Sequence, residues 1–242
     1  MPMNKNLFSG TSGGSADEML RAGPHVPASM RPYEEIRNRI ISLELPPETT
    51  LARAELAERF NVSQSPVREA ILRLEQDGLV VSYPQSRTVV TKIDVARIRE
   101  EHFLRTAVEC DVARALAEST DAAVLRKVKG LVKMQEALVG DIEQVELFKQ
   151  LDEAFHEALF ASVNQSNLHL HITARCGNLA RLRSLDLPRE VKMLSVLEGH
   201  RAVVDAIAEG NGEKASAAMR RHLSGTMERM PEIVRENEAL FS

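Results

Sequence analysis

Asp152 and His156 stand four positions apart in the run Leu151-Asp152-Glu153-Ala154-Phe155-His156. In a helix that spacing puts both side chains on one face, about one turn apart. His200 lies in Glu198-Gly199-His200-Arg201-Ala202-Val203-Val204, and His222 in Met219-Arg220-Arg221-His222-Leu223. If the three helices carrying them pack side by side, one carboxylate and three imidazoles converge. Such a donor set suits a first-row divalent transition metal, Zn, Ni, Mn or Co, with positions left for water or a ligand oxygen. Phe155, Leu159, Val203, Ile207 and Leu223 put each imidazole at the border of an apolar stripe. The competing reading is a set of ordinary hydrogen-bonded core histidines. His25 falls in a polar N-terminal stretch, and His169 and His171, two apart on a helix, point to different faces.

A second set of residues has the chemistry to read bases. Ser63, Gln64, Ser65 and Arg68 sit at the start of a helical period continued by Val67, Ile71 and Leu74. Arg can bind a guanine edge bidentately, Gln an adenine edge, and Ser suits phosphates or either base. Gln64 and Arg68 share a face opposite the apolar one. The alternative is that Arg68 pairs with a nearby Glu and Ser63 only caps the helix.

The flanking pattern supplies a scaffold for that helix. Residues 1–28 carry Gly, Ser, Asn and Pro without hydrophobic period and read as a flexible arm. Ile36, Ile40 and Ile41 mark a first helix with Pro32 in its first turn, ended by Pro46-Pro47. Leu51, Leu56, Ala57 and Phe60 mark a second, followed by Asn61 as a left-handed turn residue. After Gly78 come two β-rich runs, residues 79–83 and 88–91, around Pro84-Gln85-Ser86-Arg87, a hairpin signal. Three helices and a hairpin in this order make a winged helix-turn-helix over residues 29–93, with Arg87 at the wing tip. Such a unit docks its second motif helix in the major groove of double-stranded DNA.

From 94 to 236 only helical periods remain, at about 94–118, 121–139, 143–163, 166–184, 189–209 and 212–236, with a short tail at 237–242. Short breaks between long helices imply an antiparallel bundle. The expected fold is therefore mainly α, a winged head followed by an all-helical domain.

Composition bounds the function classes. Hydrophobic residues make up 43% of the 242, enough for real cores, and with no Trp these cores must be mostly aliphatic. The formal net charge of −4 argues against indiscriminate nucleic-acid binding. Between Arg31 and Asp94 acids slightly outnumber cations, so charge for DNA must be gathered on one face. No run of secretory or membrane-spanning length is present, and Cys110 and Cys176 are the only cysteines. The expectation is a cytoplasmic protein with reduced thiols and no membrane contact.

Leu56-Ala57, the run Asn61-Val62-Ser63-Gln64-Ser65-Pro66-Val67-Arg68-Glu69-Ala70-Ile71, Leu74 and Gly78-Leu79-Val80 resemble the GntR family of bacterial regulators over residues 33–92. The resemblance implies DNA-contact roles for Ser63, Gln64, Ser65, Arg68 and Arg87. Gln64 stands where many members have Arg, Glu48 where Gly is usual, and Arg87 where the wing often has Gly. Residues 95–228 resemble the FCD effector domain of the FadR-type branch. They do so through Asp152-Glu153-Ala154-Phe155-His156, Asn164 with Leu168, the run from His200 to Ile207, and Met219-Arg220-Arg221-His222-Leu223.

That second resemblance implies that Asp152, His156, His200 and His222 hold a metal, and favours a small carboxylic acid as effector. Arg105 matches an Arg that often faces the effector cavity, where it would clamp a carboxylate. Its alternative is an i,i+4 pair with Glu101 or Glu109. Arg175, Arg181 and Arg183 are further clamp candidates. The function implied is a homodimeric transcription regulator that binds an operator and answers to a metal-assisted carboxylate, not an enzyme. Two other readings use the same residues: a metal-dependent hydrolase, or a regulator whose metal is purely structural.

Overall fold

The computed structural model describes residues 28–83, 87–119 and 122–242. The arm expected over 1–28 and the wing tip at Pro84-Gln85-Ser86 lie outside the described residues, apart from residue 28. Helix α1 (Met30–Ile41) buries Tyr33, Ile36 and Ile40, the side its apolar spacing selects. After the Pro46-Pro47 break, strand β1 (Thr50–Leu51) precedes helix α2 (Arg53–Phe60). Asn61 follows in the left-handed region at φ 52°, ψ 48°, and its N–H returns to α2. Helix α3 (Gln64–Gln76) buries Val67, Ala70, Ile71 and Leu74. Gly78 takes φ 73°, and strands β2 (Val80–Ser82) and β3 (Thr88–Val90) form the wing.

Leu51, expected to open the second helix, is instead a strand residue. β1 pairs antiparallel with β3, Leu51 opposite Thr88, giving a three-stranded sheet in the order β1-β3-β2 rather than a hairpin alone. Two residues are too few to show alternation. The turn that delivers them depends on Glu48, which adopts φ 71° where Gly would be unstrained, and whose N–H donates to the Val90 carbonyl at 2.9 Å.

Helix α4 (Val95–Glu118) is capped by Asp94, whose side chain accepts from the Ala96 and Arg97 amides. Helices α5 (Ala122–Glu136), α6 (Val145–Ser162), α7 (Ser166–Arg175), α8 (Gly177–Asp186), α9 (Glu190–Ala208) and α10 (Gly212–Glu236) complete the chain. α4 and α10 run along each other, α10 also packs on α9, and α6 packs on α5. Phe155, Leu159, Phe160, Val203, Ile207 and Met219 build the main core. Each such buried side chain contributes about 1.5–3 kcal/mol relative to exposure.

The helix expected over 166–184 is two helices, broken at the buried Cys176 (φ −93°, ψ 42°). Its apolar period runs across the break, so only Gly177 marks it. That glycine faces the head: a Cβ there would lie 2.7 Å from a terminal methyl of Leu79. The helix expected to reach 139 ends at Glu136, and a 3-10 turn at Ile142–Gln144, capped by Asp141, leads into α6. Residues after α10 return to the junction, where Ile93 donates to the Leu240 carbonyl and the Ser242 amide donates to Ile93. No helix among the described residues is long and apolar enough to cross a membrane.

The Asn61 backbone sets the angle between α2 and α3, and it offers a direct check. Asn61→Val puts a β-branched residue at φ 52° and should cost about 1–3 kcal/mol. Asn61→Gly should stay within about 1 kcal/mol. Urea unfolding followed by far-UV circular dichroism measures both.

Candidate metal centre and DNA-facing helix

α6, α9 and α10 carry the four residues singled out by type and spacing. α6 supplies Asp152 and His156 from one face, α9 supplies His200, and α10 supplies His222. One donor atom from each lies within 4.8 Å of the other three. His222 Nε2 is 3.3 Å from His156 Nε2, and His200 Nε2 is 3.5 Å from Asp152 Oδ1. A tetrahedron with bonds of about 2.1 Å has edges of about 3.4 Å, so these spacings are those of a coordination shell. Asp152 and His156 are almost completely buried and His200 wholly so. Asp152 Oδ1 and His200 Nε2 are buried without a hydrogen-bond partner. Buried donors and acceptors are normally paired, and a divalent cation would satisfy both atoms at once. The residues fit the ion.

Two of the imidazoles are held with a lone pair inward. The Gln135 Oε1 in α5 accepts from His200 Nδ1 at 2.7 Å, which leaves Nε2 as the free acceptor. Phe155 stacks on the His200 ring with centroids 3.9 Å apart. Glu109 Oε2 in α4 lies 2.5 Å from His156 Nδ1 and does the same for that ring. Burial raises the Glu109 carboxyl, but the neighbouring Arg105 and then His156 overcome it and hold it well below the usual range. Burial lowers His200 to about 3 although Asp152 opposes it, so the ring is neutral and available near pH 7. His222 is likewise pushed well down by burial and by His200 and His156. Burial raises Asp152, yet Arg183 foremost keeps it an anion.

The contacts of Glu109 with His156 and of Gln135 with His200 escaped the sequence reading because they join different helices. Arg105 donates to Glu109, the i,i+4 pairing considered beforehand, while its guanidinium also lines a cavity of about 410 Å³ beside Asp152. Arg183 reaches Asp152 and lines the same space. Arg181 does not face it. Wholly buried, Arg181 donates to the Thr91 carbonyl at 2.6 Å and to Asn178 at 2.8 Å. Arg175 is exposed. His169, set aside on spacing, is buried, lies 3.2 Å from Glu153, and also lines the cavity. A smaller cavity of about 30 Å³ on the other side is lined by His102 and His222.

In the head, Ser63, Gln64, Ser65 and Arg68 are all exposed on the start of α3. Ser63 occupies the cap position without a side-chain bond to the helix, and among the described residues Arg68 has no ion-pair partner. Both side chains are therefore free to meet a ligand. Arg87 is exposed at the edge of the wing, its guanidinium 5.9 Å from the centre of the Tyr83 ring.

The model of the bacterial regulatory proteins of the gntR family matches residues 30–90, and that of the FCD domain matches residues 102–225. An HTH-type transcriptional regulator from an unstable DNA locus of Streptomyces ambofaciens is 34% identical over 210 residues, 87% of this chain and 88% of that protein. The chain belongs to the GntR family. It is a DNA-binding transcription regulator with an FCD domain, of a family whose members bind operators and commonly dimerise. The HTH-type transcriptional repressor RspR of Escherichia coli K12 is 29% identical over 219 residues, covering 90% of this chain and 96% of its own. Among solved structures, Escherichia coli McbR/YncC superposes with a TM-score of 0.69 at 18% identity, covering 87% of this chain and 99% of that one. A GntR regulator from Rhodococcus sp. RHA1 gives 0.67 at 24% identity, with the same coverages. These two likenesses speak for the fold. In this GntR chain the FCD domain, a type associated with metal binding, carries the Asp/His cluster.

Gly199 is a hidden part of this cluster. A Cβ there would lie 2.5 Å from His222 Nδ1, so the bare α9 backbone is the seat of the His222 ring. Gly199→Ala removes no donor, yet should weaken zinc binding by about 10–100-fold. Competition with a chromophoric chelator measures this, and unchanged affinity would place His222 off the ion.

Proposed function

We propose that this regulator senses a small carboxylic acid in its helical half, and that the acid sets operator affinity through a divalent ion held by Asp152, His156, His200 and His222. The observation that carries the reading is the four-donor cluster, with unsatisfied buried atoms, at the edge of a cavity lined by Arg105 and Arg183. A bound ion supplies Lewis acidity toward an oxygen ligand. The chain's own groups do the rest. Glu109 and Gln135 orient the imidazoles, Arg183 keeps Asp152 ionised, and Arg105 offers a guanidinium to the acid. A cavity of about 410 Å³ falls within the range of small-molecule sites, about 300–1,000 Å³.

On this reading residues 29–93 are the DNA-binding unit and 94–236 the effector unit, in a cytoplasmic homodimer. Ser63, Gln64, Ser65 and Arg68 face the major groove, and Arg87 on the wing meets phosphate or the minor groove. Regulation requires the acid to bind two arrangements of the dimer unequally, typically by about 1–3 kcal/mol.

The experiment uses the full chain, stripped with chelator and reloaded with zinc, and a duplex selected in vitro by the same chain. Fluorescence anisotropy at fixed salt should show a carboxylate from a small panel shifting duplex affinity by about 5–150-fold. His200→Ala, or His222→Ala if the first fails to fold, should abolish the shift while leaving acid-free binding intact. Arg68→Ala should cost about 1–3 kcal/mol on the selected duplex. A shift that survives loss of the histidines would defeat metal-mediated sensing. No shift with any acid on the zinc-loaded chain would defeat the carboxylate reading.

A further inference from the structure

The cavity beside Asp152 is not enclosed by the helical half alone. α1 of the head lies across it and contributes Arg37, Asn38, Ile41 and Ser42 to its wall. The Arg37 Nη2 donates to the Thr173 carbonyl in α7, tying the two halves together at this point, while its Nε is buried without a partner.

Charge pairing within the wall singles out the same residue. The lining holds four cations, Arg37, Arg105, Lys149 and Arg183, and four carboxylates, Glu109, Glu146, Asp152 and Glu153. Arg105 pairs with Glu109, Arg183 with Asp152, and Lys149 with Glu146 at 3.2 Å, while Glu153 takes His169 and the Thr173 hydroxyl. Among the described residues Arg37 has no carboxylate partner. His169 aside, the four cations and four carboxylates of the wall cancel, and a divalent ion on the cluster adds +2, the complement of a dianion.

We propose that the effector is a compact dicarboxylate gripped between the two halves of the chain. One carboxylate sits at the Asp152 end, and the other meets the guanidinium of Arg37 from the DNA-binding head, a cation without a carboxylate partner among the described residues. This rests on the carboxylate reading above and adds that the ligand touches the head directly. Filling the cavity then fixes the placement of α1 through a charged hydrogen bond, and a monocarboxylate, which ends short of the head, does not.

The test compares malate with 2-hydroxybutyrate, which share a carbon count and the 2-hydroxy acid end and differ only in the distal carboxylate. Titration calorimetry on the zinc-loaded full chain should show malate binding at least about tenfold tighter, the scale of one charge-assisted hydrogen bond. Arg37→Gln should shrink that gap to within about twofold without changing the monoacid, and Arg37→Lys should restore part of it. Ser42→Asp, which adds a carboxylate to the same wall and leaves Arg37 in place, should also weaken malate selectively. The proposal is overturned if malate binds no tighter than the monoacid, or if the gap ignores Arg37 and Ser42. If neither acid binds with zinc present, the carboxylate reading falls with it. If both bind only with zinc, but independently of Arg37, that reading stands and the grip from the head is lost.

Discussion

Burying the Asp152 carboxylate among three imidazoles is the constraint around which the helical half is arranged. An ionised carboxylate taken out of water costs several kcal/mol unless charge and hydrogen bonds compensate it. Here burial and cation oppose each other, and Arg183 tips the balance toward the anion. His200 and His222 cannot do so by protonation, because burial makes them poor bases. Around this fixed anion His222 Nε2 meets His156 Nε2 at 3.3 Å, while Asp152 Oδ1 and His200 Nε2 are left buried without a hydrogen-bond partner. The donor set of such a pocket fits a divalent cation.

Keeping that pocket open requires help from helices that contribute no donor to it. α4 lends Glu109 and α5 lends Gln135, each taking the outer nitrogen of one imidazole so that the inner one stays free. Glu109 is itself kept anionic by Arg105, so one guanidinium serves two ends: it anchors the support of His156 and stands in the cavity wall. The choice between ion pair and clamp for Arg105 is thus not exclusive. Gly199 completes the set by absence, since the His222 ring occupies the volume a side chain would need.

The elements that could be read in advance are those fixed by local rules. The three head helices, the Asn61 turn, the β2–β3 pair and most bundle helices follow from period, capping and breaker residues. The Asp152–His156 pair follows from helical spacing. What stayed hidden is non-local. Glu109 looked like a partner for Arg105 alone, and Gln135 bonds a ring 65 residues away that no periodicity announces. His169 was set aside because a spacing of two splits faces, which says nothing about which face meets the cavity. β1 is too short to show a pattern and exists because Glu48 turns the chain onto β3. The break at Cys176 lies within an unbroken apolar period, and its reason is across the junction, at Leu79.

That junction shows why α8 is short and separate. Its first residue, Gly177, packs against Leu79 of the head, and Asn178 accepts from the Asp94 amide just after the wing. Asn178 and the Leu179 amide donate to Glu101 of α4, and Arg181 spans to the Thr91 carbonyl. Two residues further on, Arg183 holds Asp152. A single ten-residue helix therefore touches both the Asp/His cluster and the exit of the wing. A helix continuous with α7 could not approach Leu79 so closely, because it could not turn at Cys176. The break gives the chain a separate piece with its own orientation, whose side chains are bonded to both halves. Packed elements of this kind can carry coupling between distant sites, and within the described residues the contacts of α8 join the two halves without passing through the main bundle core.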